Sequence, residues 1–246
     1  MAVPALKDAT NGAAANSGSV PFGHFKNVHQ SFAQSGRAPL VAIENISFDL
    51  AAGRLVTLLG PSGCGKTTFL KIVGGLMSAS SGTIQINGRD VREPQPDFGV
   101  VFQQASLMPW RTVLANVLFP MEILGRSDAA AKLAAKELLA LVGLEGFEHS
   151  YPAQLSGGMQ QRVALCRALI HKPKLLLMDE PFGALDELTR MEMQDLLLDI
   201  RRKTGATVMF VTHSVSEAVY ISDDIIVFSK RPAVLADHIS VGLPYP

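Results

Sequence analysis

One nine-residue stretch constrains this chain more than any other: Gly60-Pro61-Ser62-Gly63-Cys64-Gly65-Lys66-Thr67-Thr68. It fits the template G-x-x-x-x-G-K-[S/T], a phosphate-binding loop. The apolar run Leu55-Val56-Thr57-Leu58-Leu59 precedes it, and a helix-like segment from Lys66 to about Leu76 follows. Strand, loop and helix form the setting that this motif requires. Glycines let the backbone turn so that its N–H groups point into one hollow, which binds anionic oxygens. The helix adds the partial positive charge of its N-terminus. Lys66 can then reach terminal phosphates, and the Thr67 hydroxyl can ligate Mg²⁺. Cys64, beside that helix N-terminus and Lys66, is expected to lean toward thiolate and to react with alkylating reagents unless nucleotide covers it.

The bulk numbers fit a protein of this kind. A chain of 246 residues suits one domain, or one domain with a small insert. It is 48% hydrophobic and 18% charged, enough to build a sizeable core. Lys plus Arg and Asp plus Glu number 22 each, so the formal net charge is zero. That is a poor match for a nucleic-acid backbone, and it favours association with a partner. Mean hydropathy is +0.23, high for a water-soluble domain. No apolar run is long enough to span a bilayer, so a soluble protein attached to an apolar partner is expected. Cys64 and Cys166 show no disulfide-framework spacing, which points to a reducing compartment. Lys7 and Asp8 interrupt the start, so no secretion signal is read there. Residues 1 to about 22, rich in Ala, Asn, Ser and Gly, read as a disordered tail.

In chain order, Phe22–Phe32 and Val41–Leu50 read as strands, and Thr83–Ile86 as a short strand closed by the turn Asn87-Gly88. This opening half is expected to be partly antiparallel. Phe98–Phe102 is a short apolar strand ending at Gln103, which can serve a metal ion or a water, or can be an ordinary solvated loop residue. Leu107–Thr112 carries the only Trp, Trp110, as an interface anchor or a core plug. Leu114–Leu124 and Asp128–Val142 read as an inserted helical lobe, with Leu133, Leu138, Leu139, Leu141 and Val142 as its apolar stripe. A helix opens at Leu155-Ser156-Gly157-Gly158 and runs to about His171. Ser156 can cap it, and its glycines expose backbone N–H groups, so it is either a second phosphate-ready helix start or a plain capped helix.

Leu175–Met178 suits a buried parallel strand, and Asp179 and Glu180 stand at its C-terminal end, where ligands bind in open α/β sheets. Asp179 is placed to hold Mg²⁺, and Glu180 to polarise an attacking water. Glu187–Lys203 reads as a helix and Thr207–Thr212 as another buried strand, with His213 at its end as a γ-phosphate contact. Ser216–Ile221 is a short helix and Ile225–Phe228 the last clear strand; Arg231–Pro246 is weakly patterned.

Taken together, Gly60–Thr68, Gln103, Leu155–Gln160, Leu175–Glu180, Gly183-Ala184-Leu185-Asp186 and His213 resemble, in this order, the Walker A, Q-loop, signature, Walker B, D-loop and H-loop of ABC-transporter ATPase subunits. The resemblance covers about residues 25 to 240. Phe102-Gln103, Leu107–Val113, Asn116-Val117, Leu155–Arg162 and Arg231-Pro232 are most similar to the nitrate/sulfonate/taurine importer group. Met159 stands where the superfamily commonly has Gln. The adenine-stacking aromatic, commonly Tyr, matches Phe32 here, with Phe25 as the other option.

The resemblance implies an α/β P-loop NTPase with a RecA-like core, an antiparallel β part near the N-terminus and a helical subdomain inserted at about 105–165 of a single domain over 23–246. It implies ATP hydrolysis with Mg²⁺ held by Thr67, Gln103 and Asp179. Glu180 would be the general base and His213 a phosphate contact. It also implies a head-to-tail homodimer, in which Ser156-Gly157-Gly158 of one copy completes the site of the other and Asp186 connects the two. Further implied partners are integral membrane permease subunits and, indirectly, an extracytoplasmic solute-binding protein, with no nucleic acid. The chain would sit peripherally on the cytoplasmic face of the inner membrane. A soluble ABC ATPase unlinked to transport is the alternative.

Overall fold

The computed structural model describes residues 21–243; most of the expected N-terminal tail, residues 1–20, and the last three residues lie outside it. In chain order the elements are β1 (Gly23–Gln34), β2 (Arg37–Leu50), β3 (Leu55–Leu59), α1 (Lys66–Val73), β4 (Ser81–Ile86), β5 (Arg89–Asp90), β6 (Phe98–Val101), α2 (Val113–Ile123), α3 (Ala129–Leu141), α4 (Gly157–Leu169), β7 (Leu175–Asp179), α5 (Glu187–Thr204), β8 (Thr207–Thr212), α6 (Val215–Ile221), β9 (Asp224–Phe228) and β10 (Leu235–Ser240).

The continuous apolar runs in β3, β7 and β8 can be buried only by cover on both faces, which a parallel sheet with crossover helices provides. They form the centre of a six-stranded sheet in the order β10-β9-β3-β8-β7-β6. Every strand pair there is parallel except the edge pair β10–β9. The C-terminal ends of β3, β7 and β8 therefore share one sheet edge, and the loops leaving them carry Gly60–Thr68, Asp179-Glu180 and His213. A second, antiparallel sheet runs β2-β1-β4-β5, as the alternating strands near the N-terminus predict.

Three cores hold this arrangement. The first lies between the two sheets around α1, where Phe25, Phe48 and Phe69 stack with ring centroids 4.6 to 5.6 Å apart. The second covers the other face of the parallel sheet with α4 and α5. The third is internal to α2, α3 and α4. α4 serves two cores: Leu165, Ala168 and Leu169 face the sheet, while Val163 and Cys166 face the helical lobe.

Three expectations are corrected. β10 falls in a tail read as weakly patterned, with no strand expected there; five of its six residues are exposed, so it has little hydrophobic alternation to read, and backbone pairing to β9 forms it. The apolar stripe of α3 is shifted: Leu133 is 60% exposed, and the buried face is Ala131, Ala135 and Leu139. Small alanines let the helix lie close, and a count of large residues misses them. Trp110 is 75% exposed, so it is not a core plug.

β6 packs under α4 at Gly99. A Cβ there would lie 2.5 Å from the Ala168 carbonyl oxygen and 3.0 Å from Leu176 Cδ1. Gly99→Ala should cost about 1–3 kcal/mol in denaturant unfolding, the range of an overpacked core.

Candidate active site

The loop after β3 fits its place because two glycines lack side chains. A Cβ on Gly60 would come within 2.8 Å of the Phe228 carbonyl oxygen, and one on Gly65 within 2.9 Å of the Ala42 carbonyl oxygen. Gly65 also has φ +132°, a backbone angle that favours glycine. Within the loop the Cys64 N–H donates to the Pro61 carbonyl at 3.3 Å. The Lys66 ammonium, only 4% exposed, donates to the carbonyls of Gly60 (2.7 Å) and Pro61 (3.1 Å). Pro61, Ser62 and Gly63 form the exposed crest, while Thr67 and Thr68 open α1.

Thr67 donates its hydroxyl to Asp179 Oδ1 at 2.8 Å, reaching across β8 to the end of β7. Burial raises the Asp179 pKa, and the neighbouring Glu180 charge adds to the rise; the Thr67 hydrogen bond, Lys71 and Lys66 oppose it. Glu180 makes the sharp turn that follows. Its φ is +45°, a strained angle for a residue with a side chain. Its N–H donates to the Val211 carbonyl at 3.0 Å and its own carbonyl accepts the Gly183 N–H at 3.1 Å. Its carboxylate stands between two nitrogen-bearing side chains: Oε1 is 4.0 Å from Lys66 Nζ, and Oε2 is 3.1 Å from His213 Nδ1. The other ring nitrogen of His213 takes no part in that contact. Gln103 joins the same group, because a Cβ at Gly183 would lie 3.6 Å from Gln103 Nε2 and 3.8 Å from Glu180 Oε2.

Other expected residues stand apart from this group. Ser156, Gly157 and Gly158 form the start of α4, where Ser156 Oγ accepts the Met159 N–H at 3.3 Å. A Cβ on Gly158 would meet Thr189 at 2.8 Å; among the described residues no hydrogen bond ties this turn to Gly60–Thr68. Asp186 caps α5, accepting the Thr189 N–H (3.0 Å) and hydroxyl (2.8 Å), bonds that hold its carboxyl below the usual range. Phe32 is half-buried against the inter-sheet core on β1. Phe25, 1% exposed inside that core, cannot offer a face to a base, which removes it as the adenine platform. Cys64 is 2% exposed and packs into the same core, so the expected readily alkylated thiolate is not what the fold presents.

Sequence reasoning missed the residues that brace the site. Gln161, 3% exposed on α4, donates to the Phe102 carbonyl at 3.0 Å, one residue before Gln103. Arg167, also on α4, holds the carbonyls of Ala105 (2.8 Å) and Ser106 (2.9 Å). Asn116, fully buried on α2, accepts the Met108 N–H and donates to the carbonyls of Met108, Arg111 and Thr112. Arg231 donates to the Gly63 carbonyl at 2.5 Å. Asn116, one of only two polar residues in the helix Val113–Ile123, is the one signal that could have been read.

Comparison with known proteins agrees with this geometry. The family model described as ABC transporter matches residues 43–183, more than half of the chain. An uncharacterised ABC transporter ATP-binding protein of Methanocaldococcus jannaschii is 49% identical over 83% of this chain and 77% of its own length. The taurine import ATP-binding protein of Yersinia pestis is 46% identical over 82% of this chain and 79% of its own. The aliphatic sulfonates import ATP-binding protein of Bacillus subtilis is 44% identical over 88% and 84% respectively. A dimeric bacterial ABC transporter cassette superimposes with a TM-score of 0.79 at 31% identity, covering 90% of this chain and all of that one. A dimeric post-hydrolysis cassette bound to ADP and phosphate gives 0.77 at 30% identity, with the same coverage. These matches show that the chain belongs to the ABC transporter family of ATP-hydrolysing cassettes.

Proposed function

We propose that this chain is the ATP-hydrolysing subunit that energises import of a small anionic solute, of the taurine, sulfonate or nitrate kind, through membrane permease subunits. The observation that carries the chemistry is the Glu180 carboxylate held between Lys66 and His213, beside the Thr67–Asp179 pair. The names of relatives 44–46% identical support the solute class.

In this reading the N–H groups of Gly60–Thr68 and the Lys66 ammonium hold the phosphates of ATP, and Phe32 lies under the adenine. Thr67 Oγ1, Asp179 Oδ1 and the Gln103 amide oxygen would hold Mg²⁺. They suit it: all are hard oxygen donors, two already stand 2.8 Å apart, and Asp179 is a buried carboxylate whose charge is otherwise costly. The ion would supply charge neutralisation at the phosphate oxygens. Glu180 takes the proton of the attacking water onto its carboxylate as the O–P bond forms and ADP leaves. His213 fixes the orientation of that carboxylate and offers its second nitrogen to the phosphate.

Ser156, Gly157 and Gly158 point their role elsewhere, since they stand apart from their own phosphate loop. Supplied head-to-tail by a second copy, this capped helix start would close over the bound phosphates, and Asp186 would link the two sites. An apolar cavity of about 480 Å³ opens between β6 and α2, lined by Val100, Phe102, Met108, Phe119 and Ile123. Together with exposed Trp110 it is the surface on which the permease would dock. An extracytoplasmic binding protein would deliver the solute. As in the import systems for which the relatives are named, the chain would be peripheral, on the cytoplasmic face; no described helix is long and apolar enough to cross a membrane.

Glu180→Gln should keep ATP affinity in calorimetry yet lower turnover by about 10²–10⁴; wild-type turnover would remove Glu180 from its role. Asp179→Asn should abolish hydrolysis and also raise the Tm of nucleotide-free protein at neutral pH, in a thermal melt. The sign follows from the raised pKa. A carboxyl that binds its proton more tightly folded than unfolded adds stability at low pH, and that stability is lost as pH climbs through its folded pKa. The gain from Asn therefore grows with pH and vanishes in acid. Affinity purification of the tagged chain from detergent-solubilised membranes should recover a polytopic membrane protein in stoichiometric amount. Recovery from cytosol alone would end the import reading.

A further inference from the structure

The segment 229–234 lies against the phosphate loop, and its arginine has no part in the chemistry above. We propose that Arg231 is a positioning residue that keeps the Gly63–Cys64 peptide turned with its donor toward the bound phosphates and its acceptor away from them. The inference rests on Gly60–Thr68 being the ATP site.

The geometry carries it in three steps. The Cys64 N–H and the Lys66 ammonium both donate to the Pro61 carbonyl, at 3.3 and 3.1 Å, so the two donors share one hollow. A trans peptide is planar, with its C=O and N–H pointing opposite ways. The Gly63 carbonyl therefore faces out of that hollow, and there Arg231 Nη2 meets it at 2.5 Å. Gly63 has φ +73°, so its peptide is held in a conformation that only glycine adopts readily and can rotate with little steric cost. Rotated, it would aim an acceptor oxygen at anionic phosphate. A charge-assisted hydrogen bond from a guanidinium is strong enough to oppose that rotation.

Arg231 is itself exposed, so its position depends on the backbone that carries it. That backbone is braced. Ser229 Oγ accepts the Val234 N–H at 3.0 Å and donates to the Pro232 carbonyl at 3.1 Å. Ala233, fully buried, donates its N–H to the Ala42 carbonyl at 3.0 Å and accepts the Glu44 N–H at 2.8 Å. The Ala42 carbonyl is the same atom that a Cβ on Gly65 would strike. The arm and the loop thus lean on one support.

The test compares wild type, Arg231→Ala, Arg231→Lys and Lys66→Ala as full-length chains, by calorimetric binding of MgADP, thermal melting and steady-state ATP hydrolysis. Arg231→Ala should bind MgADP about tenfold more weakly, with the loss appearing in KM more than in kcat. Arg231→Lys, which still donates from a cation, should recover to within about threefold of wild type. Three results would overturn the proposal: Arg231→Ala binding within twofold of wild type, the loss falling on kcat alone, or Arg231→Lys as weak as Arg231→Ala with both melting early. Lys66→Ala separates the two levels. If it too binds MgADP normally, the ATP site itself is misassigned; if it loses binding while Arg231→Ala does not, only the role of Arg231 falls.

Discussion

Two carbonyl oxygens stand where side chains would begin on Gly60 and Gly65, and most of the molecule is arranged around that close approach. One belongs to Phe228 at the end of β9, the other to Ala42 on β2. The phosphate loop is therefore wedged between the parallel sheet that launches it and the antiparallel sheet that backs it. The backbone pairing of Ala233 with Ala42 and Glu44 joins the sheets at the same spot. The aromatic cluster of Phe25, Phe48 and Phe69 fills the space directly behind α1. The antiparallel sheet thus acts mechanically, as a backstop that holds the loop in place.

The reacting edge and the helical lobe are tied through one helix. α4 buries one face against the sheet and another inside the lobe. From it, Gln161 and Arg167 hold the carbonyls of Phe102, Ala105 and Ser106. The segment that carries Gln103 is thus strung from α4, the same helix that carries the turn at Ser156.

Much of this is legible in the sequence, for identifiable reasons. β3 and β8 begin and end where their sequence runs do, and β7 extends one residue past its apolar run to Asp179, because strands buried on both faces are almost wholly apolar, with threonine their only polar interior residue. Asp179, Glu180 and His213 can be placed on one sheet edge because parallel strands align their C-terminal ends. What escapes reading depends on partners distant in the chain. β10 has exposed residues and exists through pairing. Two of the three buried residues of α3 are alanines, Ala131 and Ala135, whose small size is invisible to a search for large apolar residues. Cys64 reads as reactive from its neighbours in sequence, yet its side chain turns into the core. Arg231 reaches a residue 168 positions away, a contact that no local pattern encodes.

Asn116 has a consequence of its own. All of its hydrogen-bonding groups are spent on the backbone of residues 108–112, at zero exposure, so the turn bearing Trp110 is tied from below. An indole on a slack loop would surrender backbone and rotamer entropy on meeting another surface. Here the backbone part of that ordering is complete at folding, so apolar area covered at Trp110 would convert into affinity with less conformational loss. The same tether limits adaptability: a rigid knob selects the hollow that fits it and rejects one that is offset.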